Sequence, residues 1–251
     1  MAEERFSTGV GGIDEILGGG VYKGVNVLLK GGTGTGKTTF ALQFLVQGAR
    51  LGERGMYLTF EESKKQILRY GGKFFPDLKG FVDAGLIQIL DLSPPLNKAR
   101  ERIIEGTKVE IPQKDVVDSI AYIRDKILDI RGQTIQRVVV DSLQTFAMTF
   151  YDISGKTDIE EVRRTMSQIL VLLKDESVTT YLISEESDEE SDKYSFINFI
   201  VDGIFVLKVS EALDIRTLKI TKMRGIKHTL KPLAIKLFEG EGVILSTSGM
   251  S

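Results

Sequence analysis

The residues with the most legible chemistry are Gly32, Thr33, Gly34, Thr35, Gly36, Lys37, Thr38 and Thr39. Residues 31–38 fit the G-x-x-x-x-G-K-[ST] spacing of a phosphate-binding loop, the Walker A pattern. Glycines at 34 and 36 let the backbone turn so that successive N–H groups point inward, a nest for phosphate oxygens at a helix N-terminus. Lys37 then neutralises charge on the β- and γ-phosphates, and the Thr38 hydroxyl suits a magnesium ion bridging them, a hard cation that takes oxygen ligands. The bland alternative is a glycine-rich turn with a surface lysine. The flanks argue against it: the apolar run Val25-Asn26-Val27-Leu28-Leu29 enters the loop as a buried strand should, and Phe40, Ala41, Phe44, Leu45 and Ala49 recur at helical spacing until Gly52. The expected ligands are ATP or ADP with Mg2+.

Two carboxylate positions extend this chemistry. Gly55 to Phe60 reads as a strand ending on Glu61 and Glu62, at the edge where α/β sheets place ligands. One of these glutamates could orient and deprotonate the water that attacks the γ-phosphate. Alternatively, the pair opens the helix expected over Ser63 to Phe74, a favourable arrangement with the helix dipole. Val138-Val139-Val140-Asp141 fits a central parallel strand buried on both faces, which delivers a carboxylate to the ligand edge. Asp141 is the natural second-sphere magnesium residue opposite Thr38.

The elements that must position these groups read as one α/β domain over 1–251, for which 42% hydrophobic residues supply an ample core. A net charge of −2 does not indicate a globally basic nucleic-acid binder. The absence of cysteine excludes disulfides, thiolate metal sites and cysteine nucleophiles, and a single histidine, His228, argues against an all-protein zinc site. No apolar run approaches the roughly 18 residues of a membrane span, so a cytoplasmic location without membrane association is expected. Residues 75–114 look like an irregular surface excursion with a strand at Leu86 to Leu92, after which helical periodicity resumes in Val116, Ile120, Ile123, Ile127 and Ile130. A helix over Ile159 to Leu173 and a strand over Thr179 to Ser184 follow, then six acids within the eight residues 185–192. Short strands at 204–209, 216–223, 233–238 and 243–245 suggest an antiparallel extension of the sheet.

Taken together, the glycine-fenced segment 9–24 (G-V-G-G-I-D-E-I-L-G-G-G-V-Y-K-G), the phosphate loop, Thr59-Phe60-Glu61-Glu62 and Asp141-Ser142-Leu143 resemble the RecA-type ATPases, and within them the KaiC-like branch. The resemblance runs from about Gly9 to about Leu245. It implies a RecA-like P-loop core with a mostly parallel, twisted sheet flanked by helices, and catalytic roles for Glu61 and Glu62. Lys222-Met223-Arg224-Gly225-Ile226-Lys227-His228 on its own reads as a basic surface hairpin. It matches the K-x-R-G-x-x-H segment that in KaiC-like ATPases reaches the nucleotide of the neighbouring subunit. The resemblance therefore implies that Lys222 and Arg224 act catalytically in trans, that Met223 and His228 contact nucleotide, and that the chain forms a homo-oligomeric ring, a hexamer. Some relatives look like tandems of two such domains; the autophosphorylation and clock function of the tandem are not carried over. Two alternatives stay open: a RecA/RadA-like DNA-binding recombinase paralogue, which the acidic 185–192 stretch disfavours because DNA is held chiefly by Lys and Arg, and a slow-turnover nucleotide-dependent regulator or autokinase. No protein partner is legible in the sequence.

Overall fold

The computed structural model describes residues 4–91, 135–145, 159–175, 177–185, 196–211 and 214–246. The periodic stretch at Val116 to Ile130 and the acids at 186–192 lie outside the described residues.

The organising element is a nine-stranded sheet. Its parallel part comprises β3 (Asn26–Gly31), β4 (Arg54–Thr59), β5 (Ile87–Asp91), β6 (Ile135–Asp141), β7 (Thr179–Glu185) and β8 (Gly203–Ser210). The antiparallel part comprises β9 (Ile215–Met223), β10 (Leu233–Phe238) and β11 (Gly242–Leu245). The spatial order is β11-β10-β9-β8-β3-β7-β6-β4-β5, with β3 parallel to both β7 and β8 and with β9, β10 and β11 added antiparallel at one side. This is the expected α/β architecture with a C-terminal antiparallel extension, except that β8, expected to open that extension, lies parallel to β3 and only its other edge pairs antiparallel, with β9. β1 (Arg5–Phe6) and β2 (Val21–Tyr22) form a separate two-stranded sheet around the short helix α1 (Gly11–Ile16).

Both faces of the parallel strands are covered, which is why β3, β6 and β7 read as nearly continuous apolar runs. Alternate residues divide between two cores. Val27, Leu29, Tyr57, Val139, Tyr181 and Ile183 pack on the side of α2 (Lys37–Arg50), where Phe40, Phe44 and Leu45 join them. Leu28, Met56, Leu58, Val138, Val140 and Leu182 face the other way, toward Met166, Leu170 and Leu173 of the helix α5 (Ile159–Asp175). The helices α3 (Lys64–Phe74) and α4 (Leu78–Asp83) lie between β4 and β5 in the chain.

Two helix starts matter for the site. α2 has no side-chain cap: its N-cap is Gly36 at φ 100°, so the first N–H groups of the helix are left for a ligand. α3 is closed by a capping box, with the Ser63 hydroxyl accepting from the Gln66 N–H and the Gln66 side chain accepting from the Ser63 N–H at 2.9 Å. Because Ser63 is the cap, Glu61 and Glu62 precede α3 rather than opening it. They lie two residues and one residue before the cap, still beside the helix N-terminus.

Candidate functional site

The C-terminal ends of β3, β4, β6 and β7 gather the residues that the sequence singled out. Gly31 ends β3, and the loop beyond it places Gly34 at φ 75° and Gly36 at φ 100°, conformations that favour glycine. Thr33 and Gly34 are exposed, Thr39 is half-buried, and the Thr35 hydroxyl donates to the Gly32 carbonyl at 2.8 Å. The Lys37 ammonium folds back under the loop, donating to the carbonyls of Gly31 and Gly32 at 2.9 Å each. Burial lowers its pKa, while the charges of Glu185, Asp141 and Glu61 act in the opposite direction.

Parallel register brings Asp141 of β6 level with Thr59 of β4. The Thr38 hydroxyl lies 3.5 Å from Asp141 Oδ2, and the buried Tyr57 hydroxyl donates to the same oxygen. Burial pushes the Asp141 carboxyl up to about 6, opposed by the Tyr57 hydrogen bond and reinforced by the charges of Glu61 and Glu62. Glu61 is clamped: its Oε1 accepts from the Ser142 hydroxyl at 2.6 Å and from the Thr145 hydroxyl. Glu62 is half-buried, with its main chain fixed by Thr59, whose hydroxyl donates to the Glu62 carbonyl at 2.7 Å and accepts from its N–H at 3.1 Å. Burial first, and then the Glu61 charge, raises the Glu62 pKa. Gln144 ties the ends of β6 and β7 together by donating to the Ser184 hydroxyl at 2.9 Å and the Glu185 carbonyl at 2.8 Å.

This edge thus sets the half-buried Asp141 and Glu62 and the exposed Glu61 and Glu185 around the phosphate loop, with Lys37 buried beneath it. An oxygen-only donor pair, the Thr38 hydroxyl and the Asp141 carboxylate, sits where a magnesium ion on a bound nucleotide would need them, and surplus negative charge favours a cation there. The residues therefore fit a Mg-nucleotide.

The Lys222 segment is placed elsewhere. Met223 pairs with Gly203, and Gly203 is level with Val27 at the start of β3, so the segment lies at the opposite edge from the loop that follows Gly31. From Val27 to Gly31 a strand rises about 13 Å. Lys222 donates to the carbonyls of Asn198 at 2.8 Å and Val201 at 2.6 Å, wrapping the C-terminal end of α6 (Ile197–Ile200). Arg224 donates to the Phe199 carbonyl at 2.8 Å and to Asp202 Oδ1 at 3.3 Å. Burial, and then the Arg224 charge, lowers the Lys222 pKa. The Met223 side chain belongs to the hydrophobic core, and His228 is half-buried with Nε2 carrying no hydrogen bond.

Sequence reasoning missed Tyr57, Ser142, Thr145, Gln144 and Arg216. Arg216, the second residue of β9, lies at the loop's own edge, with Nε donating to the Gly34 carbonyl at 3.3 Å. Of these, only Ser142 stood beside a residue already singled out; the others follow from strand register.

Known proteins resemble this chain over most of its length. The family model described as "ATPase: KaiC" matches residues 6–249. The circadian clock oscillator protein KaiC of Parathermosynechococcus lividus is 33% identical over 231 residues, covering 89% of this chain but 39% of the relative. The chain therefore spans about two fifths of that protein's length. UPF0273 protein MK0039 of Methanopyrus kandleri is 31% identical over 235 residues, which cover 92% of this chain and 88% of the relative. Among solved structures, the KaiC-like protein PH0186 of Pyrococcus horikoshii superposes with a TM-score of 0.76 at 28% identity, over 98% of this chain and all of the other. With a family match across nearly its whole length and a RecA-type sheet carrying a phosphate loop, the chain belongs to the KaiC family of nucleotide-binding ATPases.

Proposed function

We propose that the protein is a Mg-dependent ATPase, a single domain that assembles head to tail into a homo-oligomeric ring, a hexamer, with nucleotide at each subunit interface. Backbone N–H groups from Gly32 to Thr39 hold the phosphates together with Lys37. Thr38 and Asp141 hold the magnesium ion, which when bound neutralises charge on the phosphate oxygens. Glu61, with one oxygen fixed by Ser142 and Thr145, turns its other oxygen to the attacking water and takes its proton, and Glu62 lies beside it as an auxiliary carboxylate. Lys222 and Arg224 stabilise the transferred phosphoryl group of the adjacent subunit, with His228 beside them and the core-packed Met223 holding the segment from behind. A cytoplasmic location accords with this reading, and no described helix is long and apolar enough to cross a membrane.

The observation that carries the reading is the separation of the two cationic elements. Lys37 lies at one edge of the sheet and Lys222 and Arg224 at the other, level with the start of β3. The finger cannot reach its own nucleotide across about 13 Å of strand plus the loop, whereas a heterologous interface sets it against a neighbour's loop and closes into a ring.

Subunit mixing tests this. Lys37→Ala removes the nucleotide but keeps the finger, and Arg224→Ala does the reverse. Each alone is expected to lose about 10³-fold in turnover, and a mixture of the two is expected to recover a substantial fraction of it, measured as phosphate release together with native mass. A mixture as inactive as its components, or a protein that hydrolyses ATP as a monomer, would sink the trans assignment.

A further inference from the structure

Tyr57 is an apolar-looking strand residue with an unusual partner. It sits in the middle of β4, paired with Val139 of β6, and its ring is fully buried in the core beneath α2. Its hydroxyl nevertheless donates to Oδ2 of Asp141, the oxygen that also faces the Thr38 hydroxyl. A phenylalanine would fill the same volume without that bond.

We propose that Tyr57 is a positioning residue for the magnesium sphere. By occupying one oxygen of Asp141 from below, it fixes the carboxylate about χ2 and leaves Oδ1, which carries no hydrogen bond to a described residue, directed at the metal's water shell. Carboxylate torsions of this kind are broad when unrestrained. Magnesium holds its waters tightly and demands near-octahedral placement, so an acceptor that wanders loses much of its value. Partners that orient metal-site groups in this way commonly account for about a 10- to 100-fold difference in affinity. The inference rests on the reading of Asp141 as a second-sphere magnesium residue.

The test is equilibrium binding of a fluorescent N-methylanthraniloyl ATP to the full chain, in Mg2+ and in EDTA, for wild type, Tyr57→Phe, Asp141→Asn and the double variant. Tyr57→Phe conserves volume and leaves Asp141 its Thr38 contact, and thermal melting checks that the variants fold. The expected result is that Tyr57→Phe lowers the magnesium-dependent gain in affinity about tenfold without changing the affinity in EDTA. Asp141→Asn should lower the magnesium-dependent gain likewise, and the double variant should lose no more of that gain than Asp141→Asn alone. A Tyr57→Phe protein with the wild-type magnesium gain, while Asp141→Asn loses it, overturns this inference and leaves the magnesium site standing. Equal losses with and without Mg2+ also overturn it, since they report a distorted loop. An Asp141→Asn protein with an intact magnesium gain removes the underlying site assignment and the inference with it.

Discussion

The two ends of the parallel sheet hold carboxylates under opposite conditions. At the loop end, the charges of Glu185, Asp141 and Glu61 act on the buried Lys37 ammonium, and Asp141 is pushed up to about 6 because burial outweighs the hydrogen bond it receives from Tyr57. At the other end, Asp202 is more deeply buried but matched by donors. It accepts from the Asn26 N–H at 3.1 Å, from Lys174 at 2.9 Å and from Arg224 at 3.3 Å. At the Asp202 end the buried charge is balanced within the subunit, partly by the same Arg224 that is proposed to reach the neighbouring nucleotide, whereas the loop end carries negative charge that a cation-bearing ligand would match. Perturbed carboxylates mark functional edges for this reason.

The contrast is broken most directly by neutralising one carboxylate at each end. Glu61→Gln should reduce kcat by about 10² to 10⁴ while ATP binding persists, because only the water's proton acceptor is removed. Steady-state phosphate release with a parallel binding titration checks this, and an unchanged kcat would move the role to Glu62. Asp202→Asn should act on folding instead. It leaves the Asn26 N–H, Lys174 and Arg224 with a weaker partner, and because the two cations are about half exposed, water recovers part of the loss. The expected cost is about 1–3 kcal/mol in urea unfolding of the nucleotide-free protein. A loss of ATP affinity in Asp202→Asn without loss of stability would show that the two ends are not separate.

What the sequence made legible follows the same division. The loop, the strand ending in Asp141 and the antiparallel extension were readable because each is a contiguous pattern: a fixed glycine-lysine spacing, an apolar run with a terminal acid, short alternating strands. β5 was expected over Leu86 to Leu92 and spans Ile87–Asp91, and α3 was expected from Ser63 and begins at Lys64, because Ser63 spends its side chain on the cap. Tyr57 and Thr145 were not readable. A tyrosine inside a β-rich apolar run looks like core filler, and a lone threonine past a strand is commonplace; both acquire meaning only when parallel register sets β4 beside β6. Arg137 escaped notice for the same reason. It lies fully buried in β6, where it donates to Glu53 at 2.5 Å and to the Ser7 and Phe44 carbonyls at 2.7 and 2.8 Å, joining the N-terminal segment to α2. Sequence order gives no sign of that three-way contact.

The smallest expected effect has the opposite sign from Asp202→Asn and so sharpens the comparison. Glu62 is half-buried, and burial and then Glu61 raise its pKa from the ordinary 4.5. For an acid whose folded-state pKa is raised, the native state binds its proton more tightly than the unfolded state does. The associated stability is present below the unfolded value and is lost as pH rises through the raised folded value. At neutral pH the ionised Glu62 therefore costs the nucleotide-free protein stability, and a neutral amide of the same shape removes that cost. Glu62→Gln should stabilise by a few tenths of a kcal/mol, small because solvent screens a half-exposed group. Thermal melts of the nucleotide-free protein from pH 4 to 8 should show the variant ahead at neutral pH, with the two curves converging as pH falls toward 4.5. A Glu62→Gln protein that is less stable at pH 7 would mean that this carboxylate is matched like Asp202, and the loop edge would then owe its unbalanced charge to Asp141 and Glu61 alone.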